Sequence, residues 1–278
     1  RPKGDNMIKL ATMSSVCPDW TLDEVMAGMK RHGYQGFEPR VEWGHASGIE
    51  VERSTDERKD IRARMEDEGL EICCIATGAR MAAPDPDERA GHVEDLKKYI
   101  DLAVDLGCGR IRTFGGQRDR GRELMAVVDY VAEGYRQVLE QAEACGVTLM
   151  LETHDDWCAS APVRAVVERV GHPNLKVLWD FMHSQRMLEK PEESFQVLGE
   201  HTYHTHAHDG QIVDGKLQVS ATLGDGLFDH EIPLRLLSQA GFNGYFSVEV
   251  IHPPGSEHDA DAVLQQYAEQ FRAIVASL

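Results

Sequence analysis

Eight short apolar runs, each followed by a longer amphipathic stretch, recur along the 278 residues of this chain. The runs occupy residues 7–13, 36–40, 71–77, 110–114, 147–152, 176–180, 202–207 and 244–250. Apolar residues at helical spacing predict helices over 21–31, 56–68, 90–106, 123–144, 162–170, 192–198, 232–239 and 259–275. Alternation of this kind is what repeated βα units produce, because neighbouring parallel strands are joined by a crossover, usually a helix. Eight units suit an α/β fold of the single (β/α)8 TIM-barrel type, which takes about 250 residues. An open doubly wound sheet uses the same alternation, but no G-x-G-x-x-G or G-x-x-x-x-G-K-S/T string follows any run. The usual phosphate-cradling reason for an open sheet is therefore missing.

Turn chemistry agrees with this division. Asp19 or Thr21 can cap the first helix, Gly33 follows it, and Gly69, Gly107, Gly146, Gly171 and Gly241 each stand just ahead of a strand. Glycine at the C-terminal end of a helix admits the left-handed backbone that ends it. No proline- or serine-rich linker interrupts the series, so residues 7–278 are expected to form one barrel domain, with 1–6 a leader or an expression remnant. The six cysteines contain no C-x-x-C pair, and Cys73 and Cys74 are adjacent inside an apolar run, which argues for reduced thiols and a cytoplasmic location. No apolar stretch reaches the roughly 18 residues of a membrane span. The formal net charge of -18 disfavours nucleic acid, whose affinity comes from phosphate neutralisation. Neither nucleic acid nor membrane is an expected partner; a small carbohydrate-like molecule is, and a homo-oligomer is left open.

In a barrel the active site gathers at the C-terminal strand ends. The last four runs end on side chains that bind metals: run five on Glu152, run six on Asp180, run seven in the series His204, His206 and His208, and run eight on Glu249. Residues two apart share a face of a strand. Phe246, Val248 and Val250 form the apolar face for the helices, which leaves Tyr245, Ser247 and Glu249 in the lumen. By the same rule Leu149 and Leu151 face outward and Glu152 faces inward with Met150. The three histidines share one parity, so alternation does not choose among them.

A single acidic residue at a strand end is usually a helix cap or ion-pair partner, and a lone histidine is usually a satisfied structural residue. Four such residues on consecutive strands are a less ordinary coincidence. Three carboxylates converging on a small lumen could not all stay charged without a cation, since repulsion and desolvation would drive their pKa values up. One divalent metal ion resolves the conflict. The mixed oxygen and nitrogen set suits Mn2+ best, with Mg2+, Co2+, Fe2+ or Zn2+ as alternatives.

The strings Leu-Glu152-Thr-His154, Trp-Asp180-Phe-Met-His183, His204-Thr-His206-Ala-His208-Asp209, Gly224-Asp-Gly226 and Val-Glu249 resemble those of the xylose isomerase-like barrel superfamily of sugar (phosphate) isomerases and epimerases. The resemblance spans nearly the whole chain. It implies a single-metal site of Glu152, Asp180, His206 and Glu249, and it is the family pattern that selects His206. It further implies that Glu152 and Glu249 are catalytic, one removing a proton α to a carbonyl and the other returning it, while the metal polarises the carbonyl and steadies the enediolate. His183 matches a substrate-contacting histidine of the family. His154 shares the parity of Glu152 and could reach a substrate hydroxyl, and His208 stands where the family carries a lysine, which makes phosphorylated substrates less attractive.

Other residues are open to two readings. Glu38, Arg40 and Arg112 lie on short strands where charge is unusual and fit either an inward ion-pair network or surface pairing. Asp209 can orient His206 or cap a turn, and Gly224-Asp-Gly226 can close a loop over a substrate or simply turn the chain. Trp43, His45, Trp157 and His252 follow strands and can wall a pocket or merely pack. An endonuclease of the three-zinc type would need extra histidines after strands three and four, where this chain reads Thr77-Gly-Ala-Arg-Met and Phe114-Gly-Gly-Gln-Arg. Ketose 3-epimerases carry an arginine soon after the strand-seven histidine; here Asp209 to Asp214 contain none. The expected activity is a metal-dependent isomerase or epimerase on a polyhydroxylated keto compound. A dehydratase or lyase on a keto-sugar or keto-inositol is the nearest alternative, and a non-catalytic sugar-binding barrel is the alternative of another class.

Overall fold

The structure is a computed structural model that describes residues 8–278. Its strands are β1 (Lys9–Met13), β2 (Gly36–Glu38), β3 (Glu71–Ile72), β4 (Ile75–Arg80), β5 (Arg110–Phe114), β6 (Thr148–Glu152), β7 (Leu175–Asp180), β8 (Thr202–Ala207), β9 (Asp209–Val213), β10 (Lys216–Ser220) and β11 (Tyr245–Val248). The helices are α1 (Leu22–His32), α2 (Thr55–Asp67), α3 (Pro86–Asp105), α4 (Leu124–Ala144), α5 (Ser160–Val170), α6 (Phe181–Gln185), α7 (Pro191–Leu198), α8 (Glu231–Gln239) and α9 (Ala260–Ser277). Nine strand pieces pair in parallel in the order β3-β2-β1-β11-β8-β7-β6-β5-β4. The two ends of that order, β3 and β4, are halves of the single run expected over 71–77. A bridge between Arg40 and Ala76 joins the second run to the fourth piece, so the sheet closes nearly completely into the expected barrel.

The third run breaks because alternation fails in it. Cys73 and Cys74 are neighbours, yet both are buried with Ala11, Met150, Leu178 and Tyr245 in a small apolar cluster. The larger core lies between sheet and helices and takes the opposite parity, with Leu149, Leu151, Phe246 and Val248 among its members. Met150 and Tyr245 inside, Leu149 and Phe246 outside, is the facing read from the alternation.

Helix ends follow the local chemistry. Thr21, not Asp19, caps α1, accepting from the Glu24 N–H while the Glu24 carboxylate accepts from the Thr21 N–H, a reciprocal capping box. Helix α3 begins four residues before the expected start, because Asp85 caps it and Pro86 occupies its first turn. Gly33, Gly69, Gly107, Gly146, Gly171 and Gly241 all have φ between 64° and 86°, the left-handed conformation for which they were singled out. Two elements were not expected: the short α6, and the antiparallel hairpin β9–β10 that projects beyond the C-terminal end of β8. All six cysteines are free thiols. No helix among the described residues is long and apolar enough to cross a membrane. Met7, expected to begin the first strand, and the leader expected over 1–6 lie outside the described residues.

Candidate metal centre

Four strands that are neighbours in the sheet, β6, β7, β8 and β11, deliver Glu152, Asp180, His206 and Glu249 to one place. One potential ligand atom from each lies within 4.8 Å of all the others, and all four residues are buried. The Nδ1 of His206 is 3.1 Å from Glu152 Oε1 and 2.9 Å from Glu249 Oε2. A single ring nitrogen can direct one hydrogen at one acceptor. Glu249 Oε2 is accordingly left buried without a hydrogen bond, and so is the other oxygen of Glu152, Oε2, which faces Arg112. Two carboxylate oxygens converging on one nitrogen, one of them unsatisfied, are what a site built around a cation looks like, and the spacing is close to the span of ligands about 2.1 Å from a shared ion. These residues fit a divalent metal.

Asp180 is both a cap and a candidate ligand. Its Oδ1 accepts from the backbone N–H groups of Met182 and His183 at 2.9 and 3.1 Å, which starts α6, and its Oδ2 lies 2.7 Å from His208 Nε2. Thr153 locks the strand end, its Oγ1 accepting from the Asp180 N–H at 2.9 Å. The three histidines expected to bind substrate form one wall beside Asp180. The His154 and His183 rings are 4.5 Å apart and those of His183 and His208 5.4 Å, each pair edge to face. His154 also leans on Phe114, with ring centres 4.6 Å apart.

Electrostatics divides the group. Burial opposes ionisation of Asp180 and Glu249, but the histidines around them outweigh it and hold both carboxyls well below the usual range, the reverse of the rise expected for carboxylates crowded without a cation. His206 is pulled the other way: burial disfavours its charged form, and Glu38, Glu249 and Glu152 together raise its pKa well above normal. His183, losing solvent and facing two other imidazoles, is pushed down to about 3.

Of the two readings open to Glu38 and Arg112, the inward network holds, for both side chains are fully inside the barrel. Glu38 Oε1 lies 2.9 Å from His206 Nε2. Arg112 Nε is 3.3 Å from Glu152 Oε2, and its Nη1 donates to the Thr77 carbonyl at 2.9 Å. Arg40, two residues beyond Glu38, lies over the Trp43 ring at 3.5 Å, and its Nε is buried without a partner among the described residues. Charged residues within short apolar runs were the available signal.

Asp209 does not orient His206; its carboxylate accepts from the N–H groups of Gly210, Gly224, Gly226 and Phe228 at 2.8 to 3.3 Å and so pins the loop that carries Gly224-Asp-Gly226. A Cβ at Gly226 would meet Asp209 Oδ1 at 2.0 Å, so only glycine fits there. Trp157 is fully buried against Gly115 and is packing. His45 bonds to Ser14 Oγ at 2.8 Å, and His252 stacks on His258 at 4.0 Å. A cavity of about 600 Å³ lined by Arg110, Tyr203 and Phe242 opens at the start of the strands. The metal cluster lies at the opposite end.

Known proteins share this architecture. A family model described as xylose isomerase-like TIM barrel matches residues 27–274. The 3-dehydroshikimate dehydratase of Bacillus anthracis is 25% identical over 174 residues, which span 62% of this chain and 61% of that protein. A crystal structure of the protein IOLI holding a zinc atom superposes with a TM-score of 0.83 at 17% identity, covering 97% of this chain and 99% of that one. An L-ribulose 3-epimerase superposes with a TM-score of 0.79 at 18% identity, covering 98% and 95%. At such identities the two structures testify to the fold alone. The family model covers most of the sequence, and the chain belongs to the xylose isomerase-like TIM-barrel family.

Proposed function

We propose that this protein is a divalent-metal-dependent enzyme that moves a proton at a carbon next to a carbonyl in a small polyhydroxylated compound, as an isomerase or epimerase. The observation that carries the reading is the placement of Glu152 and Glu249 at the two ends of a four-strand arc, both within 3.1 Å of the same His206 nitrogen. The family resemblance implies that the two carboxylates flank a small substrate in the lumen. One takes the α-proton and the other returns a proton to the adjacent or the same carbon. A bound metal ion held by Glu152, Asp180, His206 and Glu249 would supply Lewis acidity to the carbonyl oxygen. The mixed oxygen and nitrogen donors favour Mn2+.

Around that pair the chain supplies orientation. Arg112 sits against Glu152 and limits its rotation. His154, His183 and His208 present imidazole edges to substrate hydroxyls, and the unpartnered Nε of Arg40 offers a further donor. The Asp209-pinned loop, next to the strand that bears His206, helps exclude water.

A second reading, loss of water from a β-hydroxy ketone, is favoured by the similarity to a dehydratase. Here one glutamate removes the α-proton and the other protonates the departing hydroxyl, so that a carbon–carbon double bond and one water form. Metal identification on purified protein, followed by a screen of ketoses, inososes and hydroxy-keto acids in D2O, tests both. Deuterium uptake without loss of mass supports the isomerase or epimerase, and loss of water supports the dehydratase. Absence of both across a metal-loaded screen, with tight sugar binding, would leave a binding barrel in their place.

A further inference from the structure

Behind His206, away from Glu152 and Glu249, lies a buried polar cluster. Glu38 Oε1 is 2.9 Å from His206 Nε2, and Glu38 Oε2 is 2.8 Å from His204 Nε2 and accepts from Ser247 Oγ at 2.6 Å. All four residues are fully buried. A neutral imidazole carries its hydrogen on one nitrogen and a lone pair on the other. If His206 carried it on Nδ1, the Nε2 lone pair would face a carboxylate oxygen at hydrogen-bond distance with no water to intervene, which leaves two buried acceptors opposed. With the hydrogen on Nε2, Glu38 is satisfied, and the opposed acceptors fall instead on the Nδ1 side, where the lone pair meets the carboxylates of Glu152 and Glu249 and a cation held among the three would relieve them.

We propose that Glu38 is a positioning residue for the metal centre. It fixes the Nε2–H tautomer and the ring plane of His206, so that Nδ1 is the nitrogen offered to the ion, while His204 and Ser247 hold Glu38 in place. The proposal rests on the metal reading above. A carboxylate behind a histidine ligand also raises the basicity of the ligating nitrogen, and losing such a partner in other metal sites costs about 10- to 100-fold in affinity.

The same residues admit a rival account, since ligand atoms of Glu38, His204 and His206 also lie within 4.8 Å of one another. Their contacts argue against a second ion. Both Glu38 oxygens are satisfied by hydrogen bonds, Oε1 with His206 Nε2 and Oε2 with His204 Nε2 and the Ser247 hydroxyl, whereas at the metal centre Glu249 Oε2 has none. The protein therefore binds one ion, and the cluster beneath it holds protons.

Titration of metal-stripped protein with MnCl2 in a calorimeter tests this, with circular dichroism as a check on folding. The wild type should bind one Mn2+ per chain. Glu38→Gln should bind it about 10- to 100-fold more weakly, and Ser247→Ala, which removes one donor to Glu38, up to about tenfold more weakly. Nitrogen NMR of the wild type loaded with diamagnetic Zn2+ should show His206 protonated at Nε2, a signature that a merely structural glutamate would not set. A wild type that binds no divalent ion overturns the metal reading and this proposal with it. One equivalent in the wild type with unchanged affinity in Glu38→Gln overturns the role of Glu38 alone. So does a second equivalent that disappears in His204→Phe, or a His206 coordinated through Nε2. If Glu38→Gln fails to fold, the zinc-loaded wild-type spectrum decides.

Discussion

The barrel has two unlike arcs. Strands β6, β7, β8 and β11 run through four to six residues each, and together they bring Glu152, Asp180, His206 and Glu249 to one end. On the far side β2 is cut to three residues and β3 to two, and the third run is interrupted at Cys73 and Cys74. Yet this irregular arc sends in Glu38, which meets His206 from behind, while Arg112 reaches Glu152 from β5, the five-residue strand beside β6. One arc presents the groups that would touch metal and substrate, and the other fixes their protons and charges. Groups that must be held to a fraction of an ångström belong on well-paired strands. A strand that delivers only one acceptor can be short.

The largest expected effects fall on the first arc. Glu152→Gln and Glu249→Gln, made separately, should each lower solvent-proton exchange into the true substrate by about 10²- to 10⁴-fold, the usual range for a lost acid or base. The rate of deuterium incorporation followed by mass spectrometry measures it. Full turnover in either variant would remove that arc's claim to the chemistry. The strand that flanks the first arc, β5, is tested next by Arg112→Met. That change deletes a fully buried cation 3.3 Å from Glu152 Oε2 and leaves the carboxylate with His206 alone. Breaking a buried pair from one side costs about 3–5 kcal/mol. A urea midpoint equal to wild type, in metal-stripped protein, would mean that Arg112 contributes nothing to holding Glu152.

The first arc was the legible one. Its ligand candidates end strands whose alternation can be counted, and the inward parity of Glu152 and Glu249 follows from Leu149, Leu151, Phe246 and Val248 facing outward. The far arc was not, because the contact between Glu38 and His206 joins residues 168 apart in the chain. No local spacing encodes such a pairing; it exists only once the barrel has brought β2 round to β8. The hairpin β9–β10 was missed for a different reason. Asp214 and Gly215 both take positive φ, 52° and 73°, the requirement of the tight turn that Asp-Gly between alternating runs signals. That signal was present in the sequence and passed over.

Asp209 ties the hairpin to the reactive arc, and its loss should produce a smaller effect than that of Arg112. Asp209→Ala removes the acceptor of four backbone N–H groups while leaving every candidate ligand in place. Some donors would turn to water, so a cost of about 2–3 kcal/mol is expected, within the range for hydrogen bonds to a charged acceptor. Amide hydrogen exchange should quicken at Gly224, Gly226 and Phe228 and stay slow in β8. Quickening throughout β8 as well would mean that the loop supports the strand carrying His206.

The smallest effect expected is in acid, on the far arc. His45 is 7% exposed, and its Nδ1 lies 2.8 Å from Ser14 Oγ, an oxygen that also accepts the Arg40 N–H at 2.8 Å. With one of its lone pairs taken by Arg40, the Ser14 hydroxyl is free to donate to Nδ1, an arrangement that suits a neutral imidazole. Burial first, and the Arg40 charge after it, push the His45 pKa down to about 4, with Asp19 opposing weakly. Unfolded, the same ring takes a proton near pH 6.5. Between these values the unfolded chain binds a proton that the folded chain refuses, so stability falls as pH drops from 6.5 to about 4 and this contribution levels off below. Above pH 6.5 it is fully present. His45→Gln cannot titrate, and its urea midpoint should decline less steeply than wild type across that window. Parallel slopes in the two proteins would show that His45 takes up its proton freely in the folded state. The far arc would then hold its charges without a neutral imidazole beside Arg40.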